Sequence, residues 1–189
     1  MRRSLPVSEI LCRRACTADV PALTDIRMDY FVKDAYDHLT EEQTRTLRAG
    51  VEASLTRHIG ADCHGYLAMD GDTAVSCVLM TVYEKPANLS APNGRFAEIL
   101  GVYTRAAYRG RGLATRLMEL ALEDAAGLEL SYVELGASEM GAEIYRRLGF
   151  VESRSEYLPM RFPFERGTAF PQKTKPAGRV ERTTRRPVF

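Results

Sequence analysis

The sequence predicts a mixed α/β domain, with one helix-crossed parallel strand pair near the middle of its sheet and helices on the flanks. Two observations predict this. Strand-like and helix-like segments follow in the order strand, two helices, three strands, helix, strand, helix, and one or more closing strands. The strongest helix in the chain, opened by Gly112 and closed by Gly127, stands between two strand-like runs. A parallel pair requires such a crossover.

The first strand is read over residues 10–16, closed by Thr17-Ala18-Asp19. Thr17 or Asp19 then caps a helix through Val20, Leu23, Ile26, Arg27 and Tyr30. A second helix begins near Thr40, with Glu41-Glu42-Gln43 in its first turn and Leu47, Val51 and Leu55 at helical spacing, and Gly60 stops it. Asp70-Gly71-Asp72 separates two apolar runs, 65–69 and 73–83, which is a hairpin signal. Two prolines and two asparagines make 86–94 a loop, and 95–104 is the next strand, with Gly101 placed for a bulge. Leu113, Leu117 and Leu120 form the stripe of the crossover helix, widened by Ala114, Met118, Ala121 and Ala125. A strand over 130–135, a short helix marked by Met140, Ile144 and Leu148, and closing strands at 150–151 and 157–162 complete the order.

A chain of 189 residues and 21.1 kDa fits one domain, read as residues 1–164, followed by a basic, proline-containing tail over 165–189. No apolar run approaches the roughly 18 residues of a membrane span. The basic start, Met1 to Pro6, lacks the apolar stretch of a secretion signal, so a cytoplasmic protein is expected and no membrane partner. The tail holds seven basic and two acidic residues (+5), which leaves 19 basic and 23 acidic residues (−4) for the body. An acidic body argues against general nucleic-acid binding and suits a cationic partner. Cys12 and Cys16, four residues apart in one predicted strand, would stand roughly 13 Å apart, too far to share a zinc ion. Cys63-His64 has no second pair at zinc-like spacing, so no metal site is expected.

The stretch that carries chemistry is Tyr108-Arg109-Gly110-Arg111-Gly112-Leu113-Ala114-Thr115. Glycines let the backbone approach a ligand closely, and the first turn of the following helix offers unpaired N–H groups and a positive dipole end to an anion such as phosphate. Arg109, Arg111 and Arg116 add charge. A P-loop cannot be spelled here, and Thr115 stands where a dinucleotide fingerprint needs a small residue, so a dehydrogenase is a poor fit.

Arg109-Gly110-Arg111-Gly112-Leu113-Ala114 resembles the Arg/Gln-x-x-Gly-x-Gly/Ala signature of the GNAT superfamily of N-acetyltransferases. Phe96-Ala97-Glu98-Ile99 through Tyr103 is similar to that family's central strand, and residues 141–150 are similar to its late Leu-Tyr-x-x-Leu-Gly-Phe block. The resemblance implies a sheet whose central parallel pair splays apart to admit acetyl-CoA, the co-substrate. It implies that the backbone of Arg109, Gly110, Arg111, Gly112, Leu113, Ala114 and Thr115 cradles the pyrophosphate. Val102, Tyr103 and Thr104 would pair main-chain groups with the pantetheine arm, and Ser138 stands where the family often has a cofactor-facing asparagine. Ala106 replaces a frequent proline and Gly141 a frequent alanine.

The same resemblance implies catalytic roles for Glu98 and Tyr145. An ammonium must lose a proton before it attacks a thioester. Glu98 is the candidate base, against the alternative of a strand carboxylate paired with Arg95. Tyr145 would donate to the departing CoA sulfur, against the alternative of packing with Ala142 and Leu148. His38, His58 and His64 fit no nucleophilic arrangement, so direct transfer through a ternary complex is expected. The segment 30–38 mixes aromatics with acids and could line a pocket for a cationic amine. Two rivals stay open: a regulatory module that binds acetyl-CoA without turnover, and nucleic-acid binding through the tail. The amine acceptor and the oligomeric state, a homodimer included, also stay open.

Overall fold

Local rules account for most element boundaries of the chain. The computed structural model describes residues 10–153. Strand β1 (Leu11–Arg14) ends before the expected limit, so Cys16 lies beyond it, exposed. A 3-10 turn (Thr17–Asp19) leads into helix α1 (Val20–Tyr30), which has Pro21 in its first turn.

Asp19 precedes α1, yet its carboxylate does not cap that helix. It accepts the Cys16 N–H at 2.8 Å and both terminal guanidinium nitrogens of Arg13 at 2.7 Å. The Arg13 hydrogen bonds hold the Asp19 carboxyl well below the usual carboxylate range, with the Cys16 N–H assisting. A depressed folded-state value means stability that is fully present above the unfolded value, about 4, and is lost progressively as pH falls from there through the folded value. Arg13 is 36% exposed, so the contribution is set near the modest end of such pairs. Asp19→Asn is expected to cost about 1 kcal/mol at pH 7 and less at pH 3, read from urea melts at both. An equal loss at both pH values would contradict this.

Residues 31–35 continue α1 as one wide helical turn. Helix α2 (Glu41–His58) starts from a reciprocal cap: Gln43 N–H donates to Thr40 Oγ1 at 3.1 Å, and Thr40 N–H donates to Gln43 Oε1 at 2.9 Å. Strands β2 (Cys63–Asp70) and β3 (Thr73–Glu84) form the expected hairpin, turning at Gly71-Asp72. Strand β4 (Arg95–Thr104), helix α3 (Leu113–Ala126), strand β5 (Val133–Leu135) and helix α4 (Glu139–Arg147) follow.

The sheet order is β1-β2-β3-β4-β5, antiparallel except for the parallel β4–β5 pair that α3 crosses. One face carries α1 and α2 over Leu23, Ile26, Leu55, Leu67 and Tyr103; the other carries α3 over Val75, Val78, Ile99, Leu117 and Met118.

Gly101 makes the expected bulge. Cys77 pairs with Tyr103 and Leu79 with Leu100, so Val78 alone faces Gly101 and Val102. The extra residue reverses side-chain parity. Ala97 and Ile99 pack towards α3, whereas beyond the bulge Val102 takes that side and Tyr103 turns to α1.

Two further expectations need correction. β5 is shorter than 130–135, and Phe150-Val151 forms no strand. The turn after α4 explains the second: Gly149 takes φ +94° and Phe150 N–H donates to Tyr145 O at 3.0 Å, closing the helix end instead of starting a ladder. The strand expected over 157–162, the 164/165 boundary and the tail lie outside the described residues. Among the described residues no helix is long and apolar enough to cross a membrane.

Candidate active site

β4 and β5 pair over only three residues, Ala97↔Val133, Glu98↔Glu134 and Ile99↔Leu135. β5 ends at Leu135, while β4 runs on to Thr104, so residues 100–104 have no strand partner on that side among the described residues. The pair therefore splays. Alternation decides which main-chain groups face the gap. The Tyr103 carbonyl turns to β3, accepting the Ser76 hydroxyl at 3.0 Å, and Arg105 N–H donates to Val75 O. Val102 and Thr104 consequently present their main chain to the open side.

At the end of β4 the loop 105–112 delivers the start of α3. Gly110 and Gly112 both take φ +75°, a left-handed conformation that favours glycine. Among the described residues, the N–H groups of residues 110–115 make no hydrogen bond, and the first helical bond of α3 is Arg116 N–H to Gly112 O at 3.0 Å. Six successive donors and the positive end of a fourteen-residue helix thus converge where β4 splays from β5. A Cβ at 110 or 112 would meet no protein atom within 4 Å, so the space beyond these glycines is open.

A cleft of about 710 Å³ joins these features. Of the residues singled out from sequence, Val102, Tyr103, Thr104, Arg109, Gly110, Gly112, Leu113, Ala114, Thr115, Ser138 and Tyr145 line it, and Glu98 and Arg111 do not. It is also lined by Tyr30 and Asp34, from the segment 30–38 read as a possible acceptor lining, and by Leu135, Gly136, Met140 and Ile144, to which the sequence analysis gave no site role. Gly136, directly after a short apolar strand, is the local signal that marks where β5 stops.

The arginine side chains do not project into the cleft as free charges. Arg109 Nε donates to Thr104 O at 3.0 Å and its Nη2 pairs with Asp34 at 2.6 Å. Arg111 donates to Ala107 O at 3.2 Å and lies over the Tyr108 ring, and Arg116 pairs with Glu119 at 3.3 Å. Tyr108 OH in turn donates to Asp70 Oδ2 at 2.7 Å, tying the loop to the β2–β3 turn. The face that the loop turns to the cleft is made of backbone donors, held in place by side chains that brace the loop.

Across the cleft, Ser138 caps α4, its Oγ accepting Gly141 N–H at 3.2 Å. Tyr145 is half-buried and meets Phe150 edge-on with ring centroids 6.0 Å apart. Its ring folds back over Gly141, where a Cβ would lie 2.9 Å from Cε2 and 3.3 Å from the hydroxyl. The absent methyl at 141 gives the ring its place. Burial raises the Tyr145 pKa, so its hydroxyl keeps its proton at neutral pH.

Glu98 is half-buried and lies on the α1 face of β4, between Ala97 and Ile99, which face α3. Arg95 is three residues away on the same strand, so its side chain leaves from the opposite face. Among the described residues no hydrogen bond or ion pair engages the Glu98 carboxylate, so the pairing with Arg95 is not formed. Cys77, whose thiol lies 3.7 Å from Gly101 O, is fully buried, and desolvation pushes its pKa up to about 11. Such a thiol is no nucleophile at neutral pH. Among the described residues no group of three or more His, Cys, Asp or Glu is placed to hold a metal ion.

The model of the acetyltransferase (GNAT) family matches residues 20–150. No curated protein matches the sequence. Among solved structures, a GCN5-related N-acetyltransferase from Ralstonia eutropha JMP134 is similar at TM-score 0.67 and 21% identity, covering 80% of this chain and 99% of that one. A predicted acetyltransferase from Clostridium acetobutylicum, solved with acetyl-CoA, is similar at TM-score 0.63 and 20% identity, over 81% of this chain and 96% of that one. A ribosomal-protein-alanine N-acetyltransferase from Brucella melitensis biovar Abortus 2308 is similar at TM-score 0.59 and 17% identity, over 82% of this chain and 100% of that one. At these identities the solved structures establish the fold alone.

Proposed function

This chain belongs to the GNAT family of acetyltransferases, and from that premise we propose that it moves the acetyl group of acetyl-CoA directly to a primary amine within a ternary complex. The observation that carries this reading is the fan of six unpaired N–H groups from 110 to 115, set beside the open edge of β4. The fan suits a pyrophosphate. The open-side main chain of Val102 and the N–H of Thr104, whose carbonyl is held by Arg109, suit an amide-bearing arm laid along the strand, and a cleft of about 710 Å³ has room for both. Acetyl-CoA supplies a thioester, an acyl group already activated towards amines.

Within this proposal the chain's own groups handle protons. Glu98 takes the ammonium proton, directly or through one water. Tyr145 Oη, kept protonated by burial, donates to the departing sulfur. The fully buried, protonated Cys77 supports transfer without an acyl-enzyme.

Calorimetric titration with acetyl-CoA, followed by turnover of Tyr145→Phe, tests the reading. Removing only the hydroxyl is expected to lower kcat about 10- to 100-fold. The KM for acetyl-CoA should stay within about twofold, because the ring still packs on Phe150. Full turnover by the variant would remove Tyr145 from the mechanism.

A further inference from the structure

Arg27 leaves the last turn of α1 and reaches the sheet at the bulge of β4. Its guanidinium lies over the Phe31 and Tyr30 rings, 4.7 and 5.4 Å from their centroids. Nη1 is buried against Gly101 and fills the space that a side chain at 101 would take. Nη1 has no hydrogen-bond partner, and among the described residues no hydrogen bond or ion pair engages any part of this guanidinium. The neighbouring charges differ in this respect. Arg105 and Lys33 pair with Asp29 at 2.8 and 3.1 Å, and Arg109 pairs with Asp34 at 2.6 Å. Within residues 30–38, Asp34 is therefore held by Arg109 and is not the free acid expected to face a cationic amine. Here the uncompensated group is a cation.

An Nη1 withdrawn from water without an acceptor is costly, and the half-buried guanidinium that carries it has a planar fork shaped for a carboxylate or a phosphate. Its position says which ligand meets it. Tyr30 and Gly101, which it touches, line the cleft, whereas Arg27 itself does not. It stands on the α1 face of β4, the face that carries Glu98, away from the loop that cradles anions.

We propose that Arg27 binds an oxyanion group, carboxylate or phosphate, carried by the acceptor itself, so that the preferred acceptors are amines bearing such a group; this rests on the acetyltransferase reading above. The amine end then lies towards Glu98 and the anionic end at Arg27, with the Tyr30 and Phe31 rings beside it. No change in covalent chemistry is involved. Arg27 sets specificity.

The test uses matched acceptors on the full chain: lysine against lysinamide for a carboxylate, and glucosamine 6-phosphate against glucosamine for a phosphate. The wild type is expected to favour the anionic member of one pair by at least about 30-fold in kcat/KM, and that pair identifies the group bound. Arg27→Gln should reduce the preference to within about threefold by raising KM for the anionic member, and Arg27→Lys should restore part of it. Acetyl-CoA affinity, measured in parallel, should stay within about threefold in both variants. Turnover by the wild type without preference in either pair would overturn the inference and leave the acetyltransferase reading standing. An unaltered preference in Arg27→Gln, or an equal loss of kcat on every acceptor, would also overturn it, the latter by placing Arg27 at the reacting atoms. If Arg27→Gln fails to fold, Arg27→Lys and the wild-type comparison still decide. Acetyl-CoA binding without turnover of any amine would sink the acetyltransferase reading and this inference with it.

Discussion

Replacing Gly112 with aspartate is expected to weaken acetyl-CoA binding at least about 100-fold while leaving the fold in place. Gly112 takes φ +75° at the cap of α3, and a Cβ there meets no protein atom within 4 Å. Aspartate tolerates the left-handed region better than most residues, so the backbone cost is of the order of 1 kcal/mol. Its carboxylate would stand at the open end of the six-donor fan and compete there with the pyrophosphate. Two like charges about 4 Å apart at an effective dielectric of about 20 repel by about 4 kcal/mol, so a loss of two decades leaves a margin. Calorimetry with acetyl-CoA reads the effect, and a thermal melt checks the fold. A folded variant that binds acetyl-CoA normally would remove the cradle from its proposed role.

Glu98→Gln carries the second large expectation: a fall in turnover of about 100-fold near pH 7, with acetyl-CoA affinity nearly unchanged. The sign of the pH dependence follows from what the base does. Near neutrality an alkyl amine is almost wholly protonated, and a carboxylate must take its proton. As pH rises towards about 10 the amine loses that proton unaided, so the variant should recover while the wild type gains little. The affinity expectation follows from Glu98 lying outside the cleft-lining residues, on the face of β4 that carries α1. Equal turnover of the two proteins across this range would exclude Glu98 as the base.

Elements decided by neighbouring residues were legible in the sequence. Thr40 with Gln43, Asp70-Gly71 and Gly112 with Gly127 each act within a turn, and the structure puts α2, the hairpin and α3 where those residues indicate. Gly101 was legible as a bulge because a glycine inside a strand of β-branched and aromatic residues needs a reason. Its full reason was not. The Arg27 guanidinium against its Cα comes from a helix some seventy residues earlier, and no local pattern encodes that meeting.

The candidate site divides in the same way. The cradle is a backbone property of one continuous stretch, so glycine spacing before a helix reports it. Side-chain destinations are tertiary. Arg109 and Asp34 are 75 residues apart, and their pairing turns an arginine expected to meet phosphate into a brace for the loop. Asp19 was a reasonable cap by type, but Arg13, six residues before it, competes with a two-pronged bond that the helix N–H groups do not match. The closing strand expected at 150–151 failed because Gly149 in a left-handed conformation continues the helix end through Phe150.

Release of CoA thiol from acetyl-CoA, followed across polyamines, aminoglycosides, amino acids and peptides with free N-termini or lysines, measures acetyl transfer itself. Release well above the hydrolysis background is expected with at least one amine, matched mole for mole by acetylated product. Acetyl-CoA bound in the cleft with no amine acetylated anywhere in the panel would contradict it and leave a binding module in its place.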